Sequence, residues 1–130
     1  MKSFLVTSKR SICFFVALLI LSSVGYGATF TAATSGNFSS GTTWVGGIAP
    51  SFTDSVDLII VPSGITVNLD NNLTLSGALA RLDVAGTLNT TTSASITNTL
   101  GTILGAGTIV VDKVNMALGS VFTFTGNLTT

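Results

Sequence analysis

From Asp54 onward the apolar residues of this chain come in short bursts. Asp54-Ser55-Val56-Asp57-Leu58-Ile59-Ile60-Val61 begins as alternation and ends as an unbroken apolar run, the pattern of a buried strand. Ile65-Thr66-Val67-Asn68-Leu69 alternates cleanly, Asp70-Asn71-Asn72 turns, Leu73-Thr74-Leu75 is a strand of a few residues, and Ser76-Gly77 turns again. Residues 79–84, 87–89, 94–97, 108–111, 114–116 and 121–124 continue the series. Threonine and the β-branched residues suit a pleated backbone, asparagine and glycine suit tight turns, and no sustained helical stripe follows Leu21. The predicted class is all-β.

Strands this short bury little in an open sheet, but they can line the faces of a coil that stacks on its neighbours. A beat in the glycines supports that arrangement. Gly64, Gly86, Gly107 and Gly126 are spaced 22, 21 and 19 residues apart, and an apolar residue precedes each by four positions (Ile60, Leu82, Ile103, Phe122). A repeat near twenty residues marks a solenoid, with three short strands and three corners to a coil. Leu73, Ile96 and Val114 also recur, 23 and 18 residues apart. Stacked above one another they predict an apolar ladder with rungs about 4.8 Å apart. The reading is a right-handed parallel β-helix with an N-terminal cap and about three coils. A β-sandwich, with strands every roughly 8–12 residues, is the alternative.

The first residues change the composition of what folds. Lys2, Lys9 and Arg10 precede an unbroken apolar run of ten residues, 12–21, and Gly25-Tyr26-Gly27 offers small residues where a signal peptidase reads. The run is well short of the roughly 20 residues that span a bilayer, so residues 1–27 are predicted to be a secretory signal peptide cut after Gly27. The mature chain then has 103 residues and contains no cysteine, histidine or glutamate. Five aspartates against Arg81 and Lys113 give it a net charge of −3. Such a chain lacks the basic footprint of a nucleic-acid binder. Without cysteine it relies on packing and backbone hydrogen bonds, even in an oxidising compartment.

The segment ahead of the repeats carries a recognisable pattern: Gly36-Asn37-Phe38, then Thr43-Trp44-Val45-Gly46-Gly47-Ile48-Ala49-Pro50, then Asp54-Ser55-Val56-Asp57-Leu58-Ile59-Ile60, then Gly64 and Val67-Asn68-Leu69-Asp70. This resembles the opening of large secreted bacterial surface proteins of the type IX secretion kind, and is similar to the glycine-rich "G-eight" domain of extracellular proteins. Phe38 stands where that pattern usually has tryptophan. The resemblance covers residues 29–70, about a third of the chain. It implies a β-helix whose first coil carries an N-terminal cap, and it implies no catalytic activity. The predicted organisation is a signal peptide at 1–27, a cap segment at 28–57 and β-helix coils at 58–130, truncated at the C-terminus. Phe38, Trp44, Gly46, Gly47 and Pro50 are the expected cap residues, and Gly64, Gly86, Gly107 and Gly126 the expected corner residues.

Candidate chemistry is sparse. With neither histidine nor cysteine in the mature chain, a histidine-assisted nucleophile and a zinc site are both excluded. The five aspartates do not recur at the coil period, the arrangement that a carboxylate face on a solenoid would favour. Asp54 with Asp57, or Asp70-Asn71-Asn72, offers oxygen ligands of the kind calcium takes, but Asx residues are also ordinary turn formers. Trp44 offers an aromatic face for a sugar ring, and Thr97 and Thr99 offer hydroxyls on one strand. The expectation is a non-catalytic structural or adhesive module, without cofactor, of a secreted or cell-surface protein. Its partners are expected to be carbohydrate or extracellular matrix, with edge-to-edge self-association and no membrane span in the mature chain. The N-terminal part of a carbohydrate-active β-helix enzyme is the first alternative, and an ice-binding solenoid the second.

Overall fold

A computed structural model describes residues 27–130, so the predicted signal peptide lies outside the described residues up to Tyr26. The described chain forms short strands in a strict order: β1 (Thr29–Thr31), β2 (Gly36–Asn37), β3 (Thr53–Asp54), β4 (Leu58–Val61), β5 (Thr66–Leu69), β6 (Leu73–Leu75), β7 (Arg81–Val84), β8 (Thr87–Thr90), β9 (Ser95–Asn98), β10 (Thr102–Gly105), β11 (Thr108–Val110), β12 (Lys113–Met116), β13 (Val121–Phe124) and β14 (Asn127–Thr129). A 3-10 turn, Gly41–Thr43, is the only helical piece among the described residues.

Every third strand joins the same sheet. The first sheet runs β1-β4-β7-β10-β13, the second β2-β5-β8-β11-β14 and the third β3-β6-β9-β12. All these pairings are parallel. The protein is therefore a parallel β-helix. A sandwich, which packs antiparallel sheets face to face, is ruled out for these residues. There are four turns, with β13 and β14 opening a fifth, rather than the three expected. The extra turn comes from the predicted cap segment, which supplies β1, β2 and β3, one strand to each sheet.

The repeat works because inward positions stay in register. Ile59, Leu82, Ile103 and Phe122 stack in the first sheet. Val67, Leu88, Ile109 and Leu128 stack in the second. Leu73, Ile96 and Val114 stack in the third, as their spacing predicts. The members of these ladders inside the stack are fully buried. Each buried leucine, isoleucine or valine contributes about 1.5–3 kcal/mol, and the described residues contain no cysteine that could supplement that term with a disulfide.

The corners have distinct causes. One strand was expected from Asp54 through Val61, but the chain bends after β3. The Asp54 carboxylate accepts the amides of Val56 (3.0 Å) and Asp57 (2.9 Å), which turns residues 55–57 into a corner. Between the first and second sheets, Gly86, Gly107 and Gly126 stack one above another. A Cβ on Gly107 would run into the carbonyl of Gly86, and one on Gly126 into the carbonyl of Gly107. Gly64 differs. It sits one residue out of that file, because Thr66, Thr87 and Thr108 are the aligned positions that follow, and it holds φ +81° in the longer turn from Pro62 to Ile65.

Candidate functional site

The outward side chains of the second sheet form two files. Thr66, Thr87 and Thr108 align rung by rung, followed by Asn127. Two residues along each strand, Asn37, Asn68 and Asn89 align in the same way, followed by Val110 and Thr129. Strand geometry puts successive rungs about 4.8 Å apart and the two files about 6.6 Å apart. The residue between the files, Val67, Leu88 or Ile109, points inward and is fully buried. The inward ladder thus holds the outward one in place, and neither file can slip without exposing the core.

No charged side chain interrupts these two files, whereas the outer face of the first sheet carries Arg81 and Asp83 in neighbouring positions of β7. The result is an uncharged array of hydroxyl and amide groups repeating along the solenoid axis, interrupted at Val110. Such a lattice can donate and accept weak hydrogen bonds at a fixed repeat. The two files hold no carboxylate, imidazole, thiol or amine.

The predicted contact residues fall elsewhere. Trp44 is only 2% exposed. Its indole nitrogen donates to the Phe38 carbonyl at 2.8 Å and its ring meets Phe38 edge-on at 5.3 Å, so it presents no face to a sugar. Thr97 is an outward residue of the third sheet, aligned with Thr53, Thr74 and Asn115, and the Asn115 amide reaches its hydroxyl at 3.4 Å. Thr99 lies past the end of β9 and donates to the Leu75 carbonyl at 3.1 Å, a corner contact. The files on the second sheet were not singled out from the sequence, where threonine and asparagine also read as ordinary strand and turn residues. The signal present is Thr-x-Asn, in Thr66-Val67-Asn68 and Thr87-Leu88-Asn89, at the coil period.

The expected cap residues gather at the N-terminal end. Phe38, Trp44 and Phe52 cluster there, with Phe38 and Phe52 ring centres 4.9 Å apart. Trp44 forms an antiparallel bridge with Ala32, and Val45 donates to the Thr31 carbonyl at 2.9 Å. Thr43, not singled out from the sequence, is buried and donates its hydroxyl to the Asn37 carbonyl at 2.8 Å. Gly46 and Gly47 take φ +85° and +76° in the turn that follows, and Pro50 is buried.

Three of the five aspartates bond backbone amides. Asp54 holds its corner, Asp57 accepts the Ala28 amide at 2.7 Å, and Asp70 accepts the amide and hydroxyl of Ser39. Asn72 accepts the Ser95 amide at 2.9 Å. Among the described residues no three acidic, histidine or cysteine side chains come together as a metal site, and no helix is long and apolar enough to cross a membrane. No protein family, curated protein or solved structure matches this chain.

Proposed function

We propose that this chain is a non-catalytic structural and adhesive module of a secreted or cell-surface protein, and that the outer face of its second sheet contacts carbohydrate. The observation that supports this is the pair of uncharged files, Thr66/Thr87/Thr108 and Asn68/Asn89, held at the coil repeat. A polysaccharide also repeats its hydroxyls, so several weak hydrogen bonds add up along the axis. Each contributes about 0.5–1.5 kcal/mol. The predicted leader, the resemblance of residues 29–70 to secreted surface proteins and the stiffness of a stacked coil favour the same reading. Edge-to-edge self-association belongs to it as well.

The test is binding of the exported protein to a panel of glycans and matrix proteins. Replacing Asn89 with lysine puts a charge into the lattice at an outward position and is expected to weaken binding roughly tenfold, the equivalent of about 1.4 kcal/mol. Thr102→Val on the first sheet is expected to leave binding unchanged. No binding to any panel member, or equal loss in both variants, sinks the adhesive reading. One observation favours a second reading. Thr66, Thr87 and Thr108 present one threonine per coil on one face, an arrangement that also suits an ice surface. Thermal hysteresis that disappears in Thr87→Lys, without glycan binding, is the result that selects it.

A further inference from the structure

The start of β1 is pinned at both ends of a single residue. The Ala28 nitrogen lies 2.7 Å from Asp57 Oδ1, and the Ala28 carbonyl accepts the Leu58 amide at 2.9 Å. Asp57 stands at the corner that leads into β4, and β4 is the strand against which β1 pairs. Ala28 is also the residue that a cut after Gly27 turns into the mature N-terminus. We infer that Asp57 is the acceptor for the α-ammonium group released by signal-peptide cleavage, so that processing converts an amide–carboxylate hydrogen bond into an ion pair that fastens the first coil.

This rests on the reading of residues 1–27 as a cleaved leader. Hydrolysis of the Gly27–Ala28 peptide bond leaves the Gly27 carboxylate on the leader and a protonated amine on Ala28. Charge-assisted hydrogen bonds are shorter and roughly twice as strong as neutral ones. Two other ionisable groups adjoin Asp57. Asp54, in the same corner, accepts the Asp57 amide at 2.9 Å. Arg81, at the start of the next strand of the sheet, donates its amide to the Asp57 carbonyl at 2.9 Å. β1 itself carries no ionisable residue. A partner that favours the charged form raises the pKa of the amine above the ordinary 7.7–8.0 or so. The ion pair therefore stabilises fully below that ordinary value and is lost as pH rises through the raised one.

The test begins with the exported protein and mass spectrometry of its N-terminus. Its only amines are then the Ala28 α-amine and Lys113, so their titrations separate cleanly. The expected results are a start at Ala28, an α-amine that titrates above the usual range in the wild type and within it in Asp57→Asn, and a melting temperature that falls from pH 7 to pH 9.5 only in the wild type. Selective acetylation of the wild-type α-amine covers the case where Asp57→Asn does not fold. It is expected to abolish the same pH dependence. Any start other than Ala28 overturns the cleavage reading and this inference together. A start at Ala28 with an unshifted α-amine, or with a pH dependence that survives acetylation, overturns the inference alone.

Discussion

Asn98 is the polar residue most committed to the interior. It is fully buried, and its side-chain nitrogen donates to the Gly101 carbonyl at 3.0 Å and reaches the Val121 carbonyl at 3.4 Å, joining its own corner to the next coil. It stands in register with Leu75 below and Met116 above, and Leu75 is in register with Asp54. Buried polar groups therefore occupy the same corner position two coils apart, each satisfying backbone that the turn leaves open. Asn98→Ala removes a donor from a buried carbonyl and is expected to cost about 1–3 kcal/mol in urea or thermal unfolding. Asn98→Asp keeps the shape but replaces the donor with an acceptor, and is expected to cost more. A smaller loss for the aspartate would mean that the amide contact contributes nothing. Neither role was legible beforehand, because Asp54 and Asn98 look like the other Asx residues in a chain full of Asx turns. Trp44 shows the converse. One tryptophan among apolar neighbours does read as a cap, and the core placement follows from its size, whereas its bond to the Phe38 carbonyl depends on a fold-back that no local pattern announces.

The corner glycines separate two demands that the sequence presents as one beat. Gly107 is excluded from carrying a side chain by the backbone of the coil beneath it. Gly107→Ala must therefore shift one coil against the next, a change of the overpacking kind that costs typically 1–3 kcal/mol. Gly46 faces open space, with nothing within 4 Å of a Cβ, and its constraint is φ +85° alone. Gly46→Ala is expected to cost about 1 kcal/mol. Thermal melts of the two variants check the ranking, and a larger loss at Gly46 would contradict the stacking explanation. At this scale the repeat was largely readable. Alternation located β5, and the beat of Gly64, Gly86, Gly107 and Gly126, supported by the ladder Leu73/Ile96/Val114, set the period. What escaped was the strand content of residues 28–57. β2 and β3 are two residues long, with no alternation to detect, and only their partners β5 and β6 make them strands. β10 escaped for a related reason. Its Gly105 reads as a turn residue, yet it remains in the sheet, in register with Phe124.

In a polypeptide of residues 28–130 the two ends of the stack are not equivalent, and that decides how copies of that polypeptide can meet. At the N-terminal end, Val45 occupies the outer carbonyl of β1 and the Thr43 hydroxyl occupies that of Asn37 on β2. β2 and β3 are too short to template a partner, a recognised protection for edges. At the other end the described β12, β13 and β14 each have one hydrogen-bonded neighbour. The inward ladders emerge there, with Phe122 40% and Leu128 41% exposed although Ile103 and Ile109 directly beneath them are fully buried. Head-to-tail stacking of this polypeptide would need the covered end to accept strands, so filaments of it are disfavoured. Two open ends can meet about a two-fold axis, which brings like edges together antiparallel and closes the contact after two copies. A polypeptide of residues 28–130 is therefore expected to form a dimer in sedimentation velocity at micromolar concentration. Phe122→Lys with Leu128→Lys is expected to return it to monomer without loss of the β-sheet signal, since both residues lie in the last coil. Filaments that lengthen with concentration would show that the Trp44 fold-back does not close its end. A monomer at every concentration would show that the exposed ladder alone is too small to hold two copies together.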